Sequence, residues 1–530
     1  MFGYVGGLVA PSPGIDPDQE RSPPPPPTPL DFPQYLNVGE ANASPDFDAI
    51  FRGLLALRKP QDITENHVKW FNIQVVSQQI AASQIVPEDA QAGLPPLPWE
   101  TTKQPEGDAA PKMSNGLPYP SREKYDVCDK ELRYDNDDAF REVGRMEPRP
   151  GRSKVRLTQS RKFWTGLEKI SLYWDTELDQ YYDKPVQPDS SSSTTENEKE
   201  QTQDRPESNT DAMEVDNPPE GKPKYERVYK GRRIGAGQDM PENSREEAIR
   251  GLLEMAAWPF MCQIIMPTLP PRLSIRNLLF PVRQNLIAGR APRERELARK
   301  GILEGPLLLA QCRGEVAFRE PGEAPGRGKL EQCDLIREVG AMLLTAQERA
   351  REGTVEVRPG EGKWWTTVPR WGGVPDEGVT GDAAQEESAE NAENGDEAGP
   401  EKRPRRSFSS RRSGSSQSRK LSTSERWKQL QPGASLWDKK MRYMQIGKTK
   451  DSPFDDIFMV SSLNHHAAIV HLRVHRRYLD MLTTGQSNEP KGDQWQVLTL
   501  RRTKWYDLLR EEDRVEIFRG IWSVFHYLMR

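Results

Sequence analysis

The stretch Asp456–His475 reads DIFMVSSLNHHAAIVHLRVH, and its apolar and β-branched runs set the fold class expected for the carboxyl-terminal part of the chain. Runs of roughly four to eight such residues between polar ones predict strands. The strand candidates of this region are 441–446, 456–463, 467–475 and 494–500. Beyond them, Glu511–Met529 carries apolar residues at helical spacing and predicts a terminal helix that docks onto a neighbouring element. Residues 433–530 are therefore expected to form an α+β segment.

The preceding segment, residues 225–372, mixes strand and helix patterns. Tyr225–Ile234 alternates like a strand, and Leu330–Arg351 predicts a long helix with its apolar residues on one side. Such a mixture favours an α+β fold with antiparallel pairing among the later strands. The sheet of residues 433–530 either stands alone or joins this segment in one fold. In the second case, the sequence between the two segments is an insertion.

Residues 44–186 are expected to be mainly helical and rich in aromatic side chains. Ser44 and Pro45 are typical of a helix start, and apolar residues follow them at helical spacing. A second helix is predicted over residues 64–85. The stretch Lys162–Tyr182 concentrates aromatic residues on a helical period, which predicts a heavily buried helix. Its aromatic stripe is expected to be core, with a ligand-binding box as the alternative.

The overall composition indicates that other parts of the chain are disordered. Of the 530 residues, 35% are hydrophobic and 29% are charged, and the chain contains 40 Gly and 46 Pro. Such a chain buries too little apolar surface to offset its ordering entropy throughout. The segments expected to be disordered are a Pro-rich tail (1–43), an acidic linker (187–224) and an acidic-then-basic linker (373–432). The proline run at 22–29 serves either as a polyproline II spacer or as a docking peptide.

The second linker separates its charges. Asp376–Glu401 contains ten acidic residues and no basic one, whereas Lys402–Lys420 contains eight basic residues and no acidic one. The residues that open the basic half match a nuclear-import signal, which needs an exposed basic peptide. These residues are Lys402, Arg403, Arg405 and Arg406. The same charges also suit contacts with nucleic-acid phosphates, or a solvated run partly neutralised by the acidic half.

Serines lie among these arginines. Ser409, Ser415 and Ser422 each follow a basic residue by three positions, which is the arrangement that basophilic kinases favour. A phosphate adds about −1.5 to −2 charge beside the arginines and would mask the basic peptide. Phosphorylation is therefore predicted at these serines. An import receptor and a basophilic kinase are the expected partners.

A glycine-bearing turn after the strand at 225–234 carries two arginines. The sequence GRRIGAG over residues 231–237 matches neither G-x-G-x-x-G nor the phosphate-loop pattern. Arg232 and Arg233 are candidates for an anion-binding site. An ordinary turn is the alternative interpretation.

Histidines cluster within the stretch quoted first. Four of the six histidines of the chain lie within residues 465–475. On a helix, His471 and His475 would share a face and would be candidate metal ligands. On a strand they also face one side, but no cysteine or acidic residue next to them in sequence completes a metal site. The alternative is that they are structural or surface histidines.

Several classes of protein lack their sequence signatures here. The chain has no Gly-x-Ser-x-Gly motif, and its four cysteines are widely spaced. No apolar run reaches the roughly 20 residues of a membrane helix, and Met1–Ala10 lacks the basic start of a signal peptide. We therefore expect a reducing compartment, no membrane association and no cofactor. The net charge of −5 gives no overall signal for nucleic acid.

Four segments resemble uncharacterised proteins of filamentous ascomycete fungi. They are Leu157–Tyr182, Lys230–Ile234, Ser274–Arg283 and Lys504–Arg530. That group has no assigned activity. The resemblance therefore implies a eukaryotic setting and assigns no site residues.

Together these patterns predict a non-enzymatic regulatory subunit that binds protein partners. The expected location is the nucleus, or both nucleus and cytoplasm, and the expected setting is transcription or chromatin regulation. One alternative is an enzyme or ligand-binding protein with an anion site near Arg232 and Arg233. Another is a nucleic-acid-associated protein that acts through the basic half of the second linker.

Overall fold

The structure is a computed structural model. It describes residues 14–36, 45–57, 62–76, 80–87, 93–100, 110–185, 225–267, 271–276, 278–300, 302–351, 442–449, 452–486 and 494–530. The predicted linkers at 187–224 and 373–432 lie outside the described residues.

The helices form over stretches in which apolar residues recur at helical spacing behind a capping residue. Asp46, for example, caps the first helix by accepting a hydrogen bond from the backbone N–H of Ala49 at 2.8 Å. In chain order the α-helices are α1 (Phe47–Ala56), α2 (Glu65–Phe71), α3 (Arg122–Leu132), α4 (Asn136–Val143), α5 (Arg161–Trp174), α6 (Glu242–Ala257), α7 (Arg295–Arg299), α8 (Lys329–Ala350), α9 (Arg476–Thr484) and α10 (Glu511–Leu528). Within the described residues, no helix is long and apolar enough to cross a membrane.

The strands alternate with these helices along the chain. In chain order they are β1 (Ile73–Val75), β2 (Gln180–Pro185), β3 (Tyr225–Lys230), β4 (Cys262–Ile265), β5 (Arg272–Ile275), β6 (Leu278–Pro281), β7 (Leu286–Arg290), β8 (Ile302–Glu304), β9 (Leu308–Arg313), β10 (Arg442–Met444), β11 (Phe454–Leu463), β12 (His466–His475), β13 (Leu498–Arg502) and β14 (Tyr506–Asp507). The helices and the mixed sheet confirm the predicted α+β class.

One large sheet organises the fold. Its hydrogen-bonded order is β1-β13-β12-β11-β9-β7-β8-β10, with β4 added to β7 and β14 added to β12. The parallel neighbours β9 and β11 belong to residues 225–372 and 433–530 respectively, so both segments contribute strands to the same sheet. The chain between α8 and β10 is therefore an insertion within one folded unit.

The central strands are apolar on both faces because helices cover both sides of the sheet. Along β11, Ile457 and Met459 pack with α8 in one core. Phe458 and Val460, which alternate with them, pack with α10 in the other core. Successive side chains of a strand point to opposite faces, so neighbouring residues enter different cores. The fold thus has three layers: helix, sheet and helix.

The predicted terminal helix forms as α10 and docks on the sheet. Trp522 and Phe525 are fully buried in the same core as Ile469 of β12. Gly520 allows this close packing, because a Cβ there would lie only 2.6 Å from side-chain atoms of Ala82 and Ile469. Any larger residue at this position would push α10 away from the sheet.

Two predicted helices in the region 44–186 are shorter than expected. The helix predicted over 64–85 ends at Phe71, because Asn72 adopts a left-handed φ of 52° and the chain continues as β1. β1 pairs with β13, so long-range hydrogen bonds override the local helical pattern. The helix predicted over 162–182 ends with α5, and the chain then forms β2, which pairs with β3. The predicted helical region therefore also contributes two strands.

The prediction of a disordered tail over residues 1–43 is wrong for residues 14–36, which we call the N-terminal strap. The strap crosses the folded unit and is tied to it by hydrogen bonds and ion pairs. The backbone N–H of Asp31 donates to Val316 O at 2.9 Å, and Arg319 pairs with the Asp31 carboxylate. A polyproline-type chain has no internal hydrogen bonds, so its backbone groups are free to form such contacts.

Candidate functional sites

Arg232 and Arg233, the candidate anion-binding residues, make structural ion pairs. The Arg232 guanidinium is almost fully buried and lies 3.1 Å from Asp137 Oδ1 of α4. Arg233 donates from Nε to Asp179 Oδ2 at 2.8 Å and from Nη1 to the backbone oxygen of Pro25 in the strap. Each guanidinium thus binds a carboxylate of the chain itself, in the position that an external anion would occupy.

His471 and His475 lie on one face of β12, four residues apart. Four residues of a strand span about 13 Å, which is too far for both side chains to bind one ion. His471 Nε2 lies 2.9 Å from Asp456 Oδ1. His475 Nδ1 accepts a hydrogen bond from the backbone N–H of Arg477 at 3.0 Å and caps α9. The two histidines therefore have separate structural contacts.

Asp456 is an acidic partner that spacing in the sequence did not reveal. Its carboxylate accepts a hydrogen bond from Tyr527 Oη at 2.7 Å and another from His471, so it links β11, β12 and α10. Burial alone would raise the pKa of Asp456, but the hydrogen bonds from His471 and Tyr527 lower that pKa below its ordinary value. The carboxylate is therefore ionised and serves as a structural anchor.

The structure brings a different pair of histidines, His465 and His466, close to the carboxylate of Asp507. We call these three residues the His–His–Asp cluster. One ligand atom from each of the three side chains lies within 4.8 Å of the other two. His465 lies in the turn between β11 and β12, and His466 begins β12. Asp507 lies in β14, which pairs with the start of β12. Among the described residues, no other three His, Cys, Asp or Glu side chains meet in this way.

Burial sets the protonation of the His–His–Asp cluster. It lowers the pKa of His466 to about 4. Burial and the adjacent His466 hold the pKa of His465 well below its usual range. Burial also raises the pKa of Asp507 to about 6. At neutral pH the cluster therefore contains two neutral imidazoles and a mainly ionised carboxylate.

Aromatic rings enclose the His–His–Asp cluster on two sides. The ring centroid of Trp174 lies 4.9 Å from that of His465, and Phe32 of the strap lies 4.8 Å from His466. Phe32 also stacks on Trp505 at 5.4 Å. His466 itself is half-buried, so one side of the cluster stays in contact with solvent.

The His–His–Asp cluster lies at the edge where the parallel strands β9 and β11 end. β9 and β11 are parallel, and β13 runs in the same direction because both β11 and β13 are antiparallel to β12. β9 and β11 end in register at Arg313 and Leu463, and we call this edge the carboxyl edge. β13 ends earlier, at Arg502, which lies opposite Val470 of β12. In open α/β sheets, ligands bind outside the carboxyl ends of the strands. The position of the cluster is therefore one that suits a ligand site.

Arg313 is the centre of a buried ion network beneath the carboxyl edge. Its guanidinium binds the carboxylates of Asp334 and Glu338 on α8, the latter at 3.0 Å. Ser461 Oγ donates to Glu338 at 2.5 Å. Tyr35 Oη of the strap donates to Asp334 at 2.6 Å. The side chains of Arg313, Asp334 and Glu338 are 0%, 1% and 0% exposed, so these charges are stabilised by one another rather than by water.

Arg502 borders this network. Its guanidinium lies 4.1 Å from the ring centroid of Trp505 and 4.8 Å from that of Tyr35, which are cation–π distances. It lies 3.6 Å from Glu338 Oε2. Within the described part of the chain, its three buried nitrogens have no hydrogen-bond partner. Arg502 therefore adds positive charge and aromatic contacts to the carboxyl edge.

The insertion between α8 and β10 leaves and re-enters the folded unit at one place. The guanidinium of Arg351, just after α8, lies 4.3 Å from the ring centroid of Tyr443 in β10. Residues 352–441 therefore connect two points that are in contact. The predicted import and phosphorylation residues of this segment lie outside the described residues. They are Lys402, Arg403, Arg405, Arg406, Ser409, Ser415 and Ser422.

An exposed apolar pair lies between α6 and β4. Trp258 and Met261 are 42% and 59% exposed, although both are large apolar residues. The ammonium group of Lys162 lies 5.1 Å from the Trp258 ring centroid. Trp and Met are enriched in protein–protein interfaces, and Trp often contributes most of the binding energy. The pair is therefore a candidate partner-binding surface.

Comparisons with protein-family models, with curated proteins and with solved structures gave no match. Geometry is therefore the basis for choosing among the candidate sites. It separates His471 from His475 and places a carboxylate beside His465 and His466. The histidine doublet was visible in the sequence, but Asp507 is distant from it along the chain and reaches it only through the pairing of β14 with β12.

Proposed function

We propose that this chain is a non-enzymatic regulatory subunit of the nucleus, or of nucleus and cytoplasm, that binds protein partners. Transcription or chromatin regulation is the setting that the basic import peptide favours, and the fungal resemblance implies a eukaryotic cell. The observation that carries the proposal is the placement of the charged segment 352–441 as an insertion within one folded unit, with its ends joined by the contact between Arg351 and Tyr443.

An insertion of this kind is a suitable place for a peptide that an import receptor recognises. Its two ends are held by the folded unit, so a modification inside it does not have to disturb the sheet. The acidic half, Asp376–Glu401, precedes the basic half, Lys402–Lys420. Phosphates in the basic half would add negative charge directly beside the import residues. Location would then respond to a kinase without any change in the fold.

An import variant tests the proposal. It carries alanine at the four basic positions that open the basic half: Lys402, Arg403, Arg405 and Arg406. A fluorescent fusion of this variant is expected to move from nucleus to cytoplasm, because the receptor recognises the positive charge of the peptide. The measurement is the nuclear-to-cytoplasmic ratio of fluorescence in living eukaryotic cells.

The matched control for the import variant removes the same positive charge elsewhere. It carries alanine at four exposed basic residues in and beside α7: Arg293, Arg295, Arg299 and Lys300. This control is expected to keep the ratio of the unmodified fusion. An import variant that stays nuclear would reject the peptide as the signal.

A second prediction concerns the partner-binding surface. Serine at both Trp258 and Met261 is expected to remove at least one protein that co-purifies with the full chain, because loss of an interface Trp weakens binding by about 2 kcal/mol or more, roughly thirtyfold. Quantitative mass spectrometry of affinity-purified complexes measures the loss. The control replaces Leu55 and Val127, which are 38% and 41% exposed on α1 and α3. If the same proteins co-purify with both variants, Trp258 and Met261 do not form a partner-binding surface.

The alternative functions have unequal support. Arg232 and Arg233 bind carboxylates of the chain, which weakens the case for an enzyme with an anion site there. Contact with nucleic acid through Lys402–Lys420 stays a proposal, and its signature is an affinity that falls steeply with salt. The carboxyl edge favours a ligand-binding role as the second candidate, because polar groups converge where the parallel strands β9 and β11 end.

A further inference from the structure

We propose that the His–His–Asp cluster of His465, His466 and Asp507 binds a divalent first-row transition-metal ion, with Zn²⁺ as its simplest occupant. This inference goes beyond the proposed regulatory function and does not depend on it. It rests on the ligand types, on their separation and on the environment that surrounds them.

The ligand types suit such an ion. Imidazole and carboxylate together bind Zn²⁺ in many sites that use three protein ligands and keep a fourth position open to solvent. The half-buried His466 leaves one side of the cluster accessible, which provides that fourth position. Ca²⁺ and Mg²⁺, which prefer oxygen ligands, are disfavoured because two of the three side chains of the cluster offer nitrogen ligands.

The separations are close to those of a formed site. His465 Nε2 lies 4.0 Å from Asp507 Oδ1, and the three ligand atoms all lie within 4.8 Å of one another. Two donors bound to one tetrahedral Zn²⁺ at about 2.0–2.2 Å lie about 3.4 Å apart. A contraction of about 1 Å therefore closes the site, and modest rotations of the side chains supply it within their rotamer wells.

The backbone already orients the ligands. The ring centroids of His465 and His466, which are consecutive in the chain, lie 4.1 Å apart. Asp507 Oδ1 accepts a hydrogen bond from the backbone N–H of Leu509 at 2.9 Å. Hydrogen bonds of this kind hold a metal-binding carboxylate in position and support metal affinity.

The environment contains an independent sign of a missing partner. The Nδ1 atoms of His465 and His466 are buried and have no hydrogen-bond partner among the residues that the structure describes. Buried side-chain nitrogens usually have one, because an unsatisfied polar atom is costly away from water. The rings of Trp174 and Phe32 pack against the two imidazoles and exclude water from that side. An ion binds each imidazole through one nitrogen only, and the described residues leave at least one nitrogen of each ring without a hydrogen-bond partner.

Calorimetric titration of the tag-free full chain with Zn²⁺ tests the inference. One ion per chain is expected to bind. His466→Asn and Asp507→Asn are each expected to weaken that binding roughly a hundredfold or more, since even loss of a residue that only supports a ligand costs 10–100-fold. Asp507→Asn keeps a side-chain oxygen that can accept the hydrogen bond from Leu509, so it removes the charge with little effect on the fold.

His475→Asn is the matched control. It removes a histidine of the same strand that lies away from the cluster, and asparagine is a good helix cap, so α9 keeps its N-cap. Its Zn²⁺ affinity is expected to equal that of the unmodified chain. Co²⁺ provides a second readout, because a tetrahedral site gives it intense visible absorption. Both cluster variants are expected to lose that absorption.

Thermal unfolding connects binding to the folded cluster. Zn²⁺ is expected to raise the Tm of the unmodified chain and of His475→Asn, and to leave the Tm of Asp507→Asn unchanged. If His466→Asn does not fold, Asp507→Asn decides the question. The inference is overturned if Zn²⁺ does not bind the unmodified chain, or if it binds Asp507→Asn with the same affinity.

Discussion

Replacing Arg313 with methionine is expected to lower the free energy of unfolding by about 3–5 kcal/mol. The reason is that Arg313 is the counter-ion of two fully buried carboxylates, Asp334 and Glu338. Its removal leaves Asp334 without this ion pair and Glu338 with the more distant Arg502, at 3.6 Å. Methionine is long and flexible enough to fill most of the vacated space, so the loss is mainly electrostatic. Unfolding by urea, followed by tryptophan fluorescence, measures it.

The loss at Arg313 is expected to depend on pH. Burial alone would raise the pKa of Asp334, but the charge of Arg313 holds that pKa below its ordinary value. Asp334 therefore contributes stability that is present above its unfolded-state pKa of about 3.9 and is lost as the pH falls through the lower folded-state pKa. Without Arg313, burial raises the folded-state pKa above the unfolded-state one, and the variant gains stability as the pH falls. The difference between variant and unmodified chain should therefore shrink from about pH 7 to about pH 4.5.

Two further variants separate this explanation from a general effect of losing an arginine. Arg122→Met removes an exposed ion pair with Asp126, whose side chains are 39% and 54% exposed, and it should change stability by no more than about 0.5 kcal/mol. Leucine at both Asp334 and Glu338 should restore part of the stability of Arg313→Met, because apolar replacements remove the unpaired charges. A loss below about 1 kcal/mol in Arg313→Met would show that water reaches these carboxylates.

Replacing Arg349 with methionine is also expected to cost about 3–5 kcal/mol. Arg349 is fully buried, and its guanidinium donates to both oxygens of Asp455, at 2.7 and 2.9 Å. It also donates to the backbone oxygens of Pro306 at 2.8 Å and Ile446 at 3.0 Å. One side chain thus connects α8 to β11 and to the residues beside β9 and β10. Its loss leaves the buried carboxylate of Asp455 without this ion pair and takes a hydrogen-bond donor away from two backbone oxygens.

The Arg349 and Arg313 variants are expected to differ in which part of the fold loses stability. Amide hydrogen exchange should increase most around β10, where the insertion returns to the sheet, and much less in β13. Arg349→Lys is the control, because it keeps the charge but loses the planar fork that binds both oxygens of Asp455. It should lie between methionine and the unmodified chain in stability. Equal exchange in β10 and β13 would contradict the local role of Arg349.

Elements with a strong local pattern were predicted well. The predicted helices at 330–351 and 511–529 correspond to α8 and α10 within one or two residues. The strands predicted over 456–463 and 467–475 correspond to β11 and β12. These elements carry long periodic apolar runs, and such runs are the most reliable signal that a sequence contains.

Elements that depend on distant partners were not predicted. β1 is only three residues long, Ile73–Val75, and the apolar spacing of the surrounding sequence predicts a helix there. The strand forms because β1 pairs with β13, which is distant in the sequence. The strap had the composition of a disordered tail, yet Phe32 and Tyr35 hold it over the carboxyl edge. In each case the deciding contact joins residues far apart in the sequence.

The candidate sites also divide into those that a local sequence pattern predicts and those that depend on contacts between distant residues. The charge order of residues 376–420 is a property of composition, so it was visible without any structure. The separation of His471 from His475 depended on whether the segment is helix or strand. The meeting of His465, His466 and Asp507 depended on a turn and on a strand pair. Spacing along the chain could not predict that meeting.

The amino-acid sequence thus predicted the α+β class, the long helices α8 and α10, and the segregated charges between them. They arise from side-chain periodicity and local charge, which act over a few neighbouring residues. The joining of residues 225–372 and 433–530 in one sheet, the ordered strap and the His–His–Asp cluster required the folded chain. Their stability comes from hydrogen bonds and buried contacts between distant residues, and no local pattern records which distant residues will meet.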